Sequence, residues 1–172
     1  LLVGEPGKGD PLAWPRLTIL ADAERVESDT ESHSRIRGRF LRRHPKARLY
    51  VDFPDFSFFR LVPKSASLNG GFGKAYNIFS SELIIQSPVI FDIASRELQL
   101  LAEINALQEG VADLLVKCFF NEKTENWTII GMDASGLDLA RKEQLLRLEL
   151  EQPVTRVNGL IAEYSNILKN MN

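Results

Sequence analysis

The chain has 172 residues, of which 26% are charged and 44% are hydrophobic, and its formal net charge is −2. This composition is that of an ordinary globular protein, and the length suits one large domain or two small ones. The near-neutral charge argues against a general attraction to nucleic acid or to acidic membranes, and we expect neither a membrane span nor a signal peptide.

The only cysteine, Cys118, excludes a disulfide within the chain and a cysteine-based metal cluster. It stands in the apolar run 114–120, so we expect it to pack as a small hydrophobic residue. A lone cysteine of this kind favours a cytoplasmic protein.

The first half of the chain is predicted to be rich in β-strands. Apolar and polar residues alternate over 16–26, which is typical of a strand. Asp29 or Thr30 is placed to cap a following helix, and Pro45 ends that helix. The expected elements are a strand end at 1–4 with earlier strands before Leu1, a Gly- and Pro-rich loop at 5–15, a strand at 16–26, a helix from Asp29 or Thr30 to about His44, a helical turn at 46–51, and a hairpin of strands 56–62 and 66–69 around a turn at Pro63-Lys64.

The character of the chain changes after Tyr76, and we predict a separate α+β domain there. The expected elements are a connector at 80–92, helices at 94–106 and 109–119, strands at 127–132, 137–139 and 145–150, and a helix from Pro153 to about Lys169. We therefore expect two domains, 1–85 and 86–172.

One glycine-rich segment, residues 4–10, superficially resembles a phosphate-binding loop. That motif requires Gly-Lys followed by Ser or Thr at the start of a helix. Here Lys8 is followed by Gly9 and Asp10, and the next predicted element is a strand. A surface loop is the better interpretation, and such a loop is compatible with lying over a ligand.

His33 and His44 are the only histidines, and both are predicted to lie on one face of the charged helix. Eleven residues of helical rise separate them by roughly 16 Å, so they cannot bind one metal ion together. Either could ligate haem iron alone, although a surface position is the more ordinary interpretation.

The remaining charged and aromatic clusters have ordinary structural explanations. The basic residues around this helix are expected to form its solvated face, and the phenylalanines that follow are expected to pack in a core. Asp133 and Asp138 could bind a cation, but turn chemistry explains them as well. The basic residues are Arg35, Arg37, Arg39, Arg42, Arg43 and Lys46, and the phenylalanines are Phe53, Phe56, Phe58 and Phe59.

Three landmarks over residues 1–78 resemble the haem-utilisation (HugZ-type) branch of the pyridoxamine 5'-phosphate oxidase-like split barrels. They are Gly9-Asp10-Pro11-Leu12 with Pro15-Arg16-Leu17-Thr18-Ile19; Arg39-Phe40-Leu41 with Arg43-His44-Pro45-Lys46-Ala47; and Phe59-Arg60-Leu61 with Leu68-Asn69-Gly70-Gly71-Phe72-Gly73-Lys74-Ala75. The second half resembles the small α+β domain often fused behind such barrels, with Trp127 to Asp133 and Gly136 to Leu139 following its pattern.

The resemblance implies a homodimer of six-stranded antiparallel split barrels with an FMN or haem site at the dimer interface. Where the oxidases place a tryptophan and an arginine against the flavin, this chain has Asn69 and Lys74. Lys74 keeps a charge for a phosphate or propionate, whereas Asn69 can hydrogen-bond a ring edge but cannot stack. The expected cofactor contacts are Arg16, Asn69, Gly70, Gly71, Gly73 and Lys74.

Three functions remain open at this stage. The first is an FMN-binding oxidoreductase-like protein, in which the flavin carries the electron chemistry. The second is a haem-binding or haem-degrading protein of iron utilisation, with His44 as the candidate iron ligand. The third is a cofactor-free regulatory or binding dimer, favoured because residues 104–108 lack the histidine that the fused domain usually carries.

Overall fold

The computed structural model describes residues 1–4, 7–10, 13–71, 74–123 and 125–169. The chain divides into two compact units. The first unit contains Leu1–His33 and Phe53–Ile85, and the second contains Ser34–Asp52 together with the chain from Gln86 onward. Each unit has an antiparallel sheet, which confirms the α+β class. No helix among the described residues has the length and apolarity needed to cross a membrane.

The first unit is built on a four-stranded antiparallel sheet, sheet A, with strand order β1-β2-β3-β4. A short helix, α2, follows β4, and its Glu82 carboxylate accepts a hydrogen bond from the backbone N–H of Phe79 at 2.9 Å. The elements are β1 (Leu2–Val3), β2 (Arg16–Arg25), β3 (Phe59–Asn69), β4 (Ala75–Phe79) and α2 (Ser80–Leu83).

The hairpin predicted around Pro63-Lys64 is wrong, because β3 is one continuous strand paired along its whole length with β2. The register passes from Leu20 opposite Ser65 to Ala21 opposite Pro63, which leaves Lys64 as the extra residue of a β-bulge. A bulge interrupts the ladder locally and so accommodates a proline without a backbone N–H. The proline that suggested a turn therefore marks an irregularity within a strand.

The first helix, α1 (Glu31–Arg43), begins where the sequence predicts. The hydroxyl oxygen of Thr30 accepts a hydrogen bond from the backbone N–H of His33 at 3.1 Å, which is an N-cap. His44 lies just beyond the last helical residue, and a 3-10 helix follows at Pro45–Leu49. The prediction that both histidines lie on this helix is therefore wrong for His44.

The second unit contains the expected order of two helices, three antiparallel strands and a helix. Its apolar core is formed by one side of these helices and one face of the sheet, with residues such as Leu100, Leu115 and Leu139 fully buried. The elements are α3 (Ile90–Asn105), α4 (Val111–Phe120), β5 (Thr128–Asp133), β6 (Gly136–Arg141), β7 (Gln144–Glu149) and α5 (Val157–Lys169), with β5, β6 and β7 forming sheet B. Helix α4 buries Ala112, Leu115 and Val116, which leaves Cys118 on its exposed side. The prediction that Cys118 packs as a small hydrophobic residue is therefore wrong.

Candidate functional site

Most of the residues expected to contact a cofactor meet at one end of sheet A. Arg16 on β2 is paired with Asn69 on β3, and Asn69 is paired with Ala75 on β4. Lys74 immediately precedes Ala75, so its charge lies at the same end of the sheet. Antiparallel pairing thus brings together residues that are more than fifty positions apart in the chain.

A tight glycine turn joins β3 to β4 at this end. The Asn69 side-chain oxygen accepts a hydrogen bond from the Gly71 N–H at 3.0 Å, and the Lys74 carbonyl accepts one from the Gly70 N–H at 2.7 Å. Gly71 has a φ of +103°, and a Cβ there would lie 3.2 Å from the carbonyl oxygen of Ala13, so both conformation and space favour glycine. Gly73 lies outside the described residues.

Arg16 and Asn69 belong to a continuous surface on one side of sheet A, which we call the Arg16 face. Successive side chains point to opposite sides of a sheet, so every second residue of β2 and β4, and of β3 from Asn69 back to the bulge, shares this face. Its three cross-strand rows are Arg16, Asn69 and Ala75; Thr18, Ser67 and Asn77; and Leu20, Ser65 and Phe79. A shallow concavity of about 270 Å³ is lined by Thr18, Leu20, Ser65, Ala66, Ser67 and Asn77.

The Arg16 face changes in chemistry from one end to the other. Arg16 provides a cation at one end, and hydroxyl and amide groups occupy the middle row. Lys74 stands in the turn at that end, and its Cβ atom starts on the opposite side of the sheet, 3.4 Å from where a Cβ atom on Gly70 would lie. Leu20 and Phe79 are 64% and 75% exposed at the opposite end. Such a surface suits a ligand with an apolar body and an anionic group. We call the middle row, which consists of Thr18, Ser67 and Asn77, the hydroxyl row. It was not predicted from the sequence, because single Ser and Thr residues in a strand are typical of ordinary solvent-exposed positions.

The two histidines have different surroundings. The His33 ring packs edge-on against Phe58 in the first unit, with ring centroids 5.4 Å apart. His44 belongs to the second unit, where its exposed ring lies against Phe40 with centroids 4.9 Å apart. Of the two imidazoles, that of His44 is therefore the more accessible to an external ligand.

The basic residues predicted to form a solvated helix face are in part used as structural anchors. Arg37 pairs with Asp52, and Lys46 pairs with Glu143 at 2.7 Å. Hydrogen bonding to the Asp52 carboxylate raises the pKa of Arg37, and hydrogen bonding to Glu143 raises the pKa of Lys46. These exposed pairs contribute little to stability, but they neutralise cations that a polyanion site would need.

Arg39 and Arg42 depart from the prediction most clearly, because both reach the carboxylate of Glu97, which is only 4% exposed. They also donate to backbone carbonyls along the edge of β5, Arg39 to Met132 at 3.0 Å and Arg42 to Ile130 at 2.7 Å. The sequence gives no sign of this network, because its partners lie more than fifty residues from the arginines.

Asp133 and Asp138 belong to a neighbouring set of ion pairs. The carboxylate of Asp133 accepts hydrogen bonds from the Ser135 N–H at 2.8 Å and from Arg147 at 2.6 Å, and Asp138 pairs with Arg147 and Arg39. Burial lowers the pKa of Arg147, but the two aspartates outweigh that effect and raise it overall. The turn chemistry expected for Asp133 is thus present, and within the described ranges no group of three or more acidic, histidine or cysteine side chains could hold a metal ion.

The chain matches a family model and is similar to a protein whose name refers to haem. Residues 6–84 match the family model described as CREG, beta-barrel. The Arabidopsis thaliana protein named non-canonical heme oxygenase HOZ, chloroplastic, is 27% identical over 144 residues, covering 82% of this chain and 44% of that protein. This chain therefore spans less than half the length of that relative.

Two solved structures are also similar. Atu2129 of Agrobacterium tumefaciens, described as of unknown function, is 28% identical, with a TM-score of 0.72 over 97% of this chain and 66% of that chain. A heme binding protein from Mycobacterium smegmatis is 21% identical over 98% of this chain and 72% of that chain, and its TM-score of 0.41 is too low to indicate a shared fold.

Proposed function

We propose that this protein binds haem on the Arg16 face and takes part in haem breakdown or haem utilisation. The observation that carries the proposal is the chemical gradient along that face, from the cation of Arg16 to the exposed Leu20 and Phe79. The name of the Arabidopsis relative supports haem as the ligand. We further propose that the fold is a split barrel of the HugZ-type branch.

The residues of the Arg16 face fit the chemistry of haem. Haem has a broad apolar ring and two propionates on one edge. Arg16 would bind the propionates through charge-assisted hydrogen bonds, and Lys74 would reach them from the turn at the end of the sheet. Leu20 and Phe79 would cover the apolar edge. The glycine turn at Gly70 and Gly71 would let the backbone approach the ligand closely. Haem would be the substrate in a degradation reaction, and these residues would bind and orient it.

A ligand for the haem iron is a separate question, because the described strands of sheet A contain no histidine, cysteine or methionine. We propose His44, whose exposed imidazole belongs to the second unit and not to the Arg16 face, as the residue to test as an iron ligand. Replacing His44 with alanine is expected to shift the haem absorption band toward that of a haem without a histidine ligand. His33→Ala is the matched control and should leave the spectrum unchanged, because that ring packs on Phe58. An unchanged spectrum for His44→Ala would remove His44 from the proposal.

FMN is a second candidate ligand, and the hydroxyl row of the Arg16 face is the observation that favours it. Thr18, Ser67 and Asn77 offer hydrogen-bond donors of the kind that bind phosphate. Parallel titrations with haem and with FMN separate the two, because flavin fluorescence and haem absorption are read independently. Saturable binding of FMN alone would favour a flavin-dependent oxidoreductase, and binding of neither would favour a cofactor-free regulatory dimer.

We also propose that the protein is a homodimer, because sheet A leaves many large apolar side chains uncovered. Phe59 and Tyr76 are more than half exposed, as are Leu20 and Phe79. Such a concentration of exposed apolar surface is typical of an interaction site. Sedimentation equilibrium is expected to give twice the mass of the 172-residue chain, and Phe59→Lys should lower that mass toward the monomer. A monomer at all concentrations tested would contradict this.

A further inference from the structure

Trp14 is held in place by the backbone of Gly7. A Cβ atom built on Gly7 would lie 2.2–2.5 Å from three ring atoms of the indole, so the ring is packed directly on the glycine. Only a residue without a side chain leaves room for this contact. The indole is nevertheless 38% exposed, so part of its surface remains available to another molecule.

The position of Trp14 connects it to the Arg16 end of sheet A. It lies two residues before Arg16, which pairs with Asn69. Its neighbour Ala13 directs its carbonyl oxygen at Gly71, where an added Cβ would come within 3.2 Å. The tryptophan therefore stands in the segment that leads into Arg16, next to the residue whose carbonyl approaches Gly71.

We propose that Trp14 provides the aromatic surface on which the planar ring of the ligand stacks. This inference rests on the proposed function, because it needs a ligand with a flat conjugated ring and an anionic arm. Asn69 cannot stack on such a ring, and Trp14 is the aromatic residue closest in sequence to Arg16, with part of its indole exposed. An indole fixed by Gly7 loses less conformational freedom on binding than a mobile side chain, which favours tight stacking.

The dissociation constants of a small set of variants, measured by absorption titration with haem and separately with FMN, test this inference. Trp14→Ala is expected to weaken binding by roughly tenfold or more, in line with the loss of one stacked aromatic ring. Trp14→Phe should restore most of the affinity, because it keeps an aromatic surface. Gly7→Ala should weaken binding as well, because the new methyl group displaces the indole. Phe91→Ala, which removes an aromatic ring that is 86% exposed in the second unit, is the matched control and should bind like the unaltered protein.

Fluorescence gives an independent reading, because Trp14 and Trp127 are the only tryptophans and Trp127 is buried in the second unit. In a Trp127→Phe variant, saturation with ligand should protect the remaining indole of Trp14 from quenching by acrylamide. If Trp14→Ala binds as tightly as the unaltered protein, the stacking inference is wrong while the proposed function stands. If the unaltered protein binds neither haem nor FMN, both are wrong.

Discussion

Replacing Glu97 with alanine is expected to lower the free energy of unfolding of the second unit by about 3–5 kcal/mol, the range typical when one partner of a buried ion pair is removed. The carboxylate is almost fully buried and accepts hydrogen bonds from Arg39 and Arg42. Without it, the partly buried guanidinium groups of Arg39 and Arg42 lose the buried carboxylate that they share. Because those guanidinium groups also bind carbonyls of β5, the edge of sheet B would be disturbed too. Urea unfolding measures the change in a Trp14→Phe background, in which the buried Trp127 is the only tryptophan and its fluorescence reports the second unit.

Asp52→Ala provides the matched control for this prediction. It also removes a carboxylate from an arginine of the same helix, Arg37, but that pair is largely exposed. Its expected cost is small, because the Asp52 carboxylate is exposed and surface ion pairs contribute little to stability. Equal losses for Glu97→Ala and Asp52→Ala would show that the buried network does not anchor helix α1.

The double charge reversal Arg16→Glu with Lys74→Glu is expected to weaken haem binding by on the order of 100-fold. Each cation would make a charge-assisted hydrogen bond with a net contribution of about 1.5 kcal/mol, and each 1.4 kcal/mol is a factor of ten. Reversal adds repulsion between the new carboxylates and the propionates. Absorption titration at fixed ionic strength measures the ratio of dissociation constants.

Arg60→Glu with Lys64→Glu makes the same change in net charge toward the other end of β3. These residues pair with Ser32 and Asp22 and lie away from the Arg16 end of the sheet. The control variant should bind haem within about threefold of the unaltered protein, since distant exposed charges are screened by salt. Similar losses in both double variants would mean that overall charge, and not the Arg16 face, governs binding.

Local patterns in the sequence were sufficient to predict much of the fold. Period-two alternation predicted β2, Thr30 was a recognisable N-cap, and the order of helices and strands in the second unit was predicted. The predicted turn at Pro63-Lys64 was wrong, because a proline in a single strand pattern suggests a turn. The bulge at Lys64 becomes visible only when the pairing of β3 with β2 is known. Long-range pairing is the information that local patterns lack.

The candidate site was predictable only in part for the same reason. Arg16, Asn69 and Lys74 stood out by resemblance, and the register of sheet A explains why they meet. Thr18 and Ser67 gave no separate signal, because a hydroxyl on an exposed strand position is ordinary until its cross-strand neighbours are known. The role of Gly7 was likewise hidden, since its contact with Trp14 is a matter of loop geometry.

Titration of the unaltered protein with haem, followed by difference absorption spectroscopy, decides whether the Arg16 face binds haem. We expect a saturable change in absorption that ends at one haem per chain and is lost in the variant carrying both Arg16→Glu and Lys74→Glu. A change that keeps rising in proportion to added haem, or one that is identical in that variant, would contradict binding on the Arg16 face.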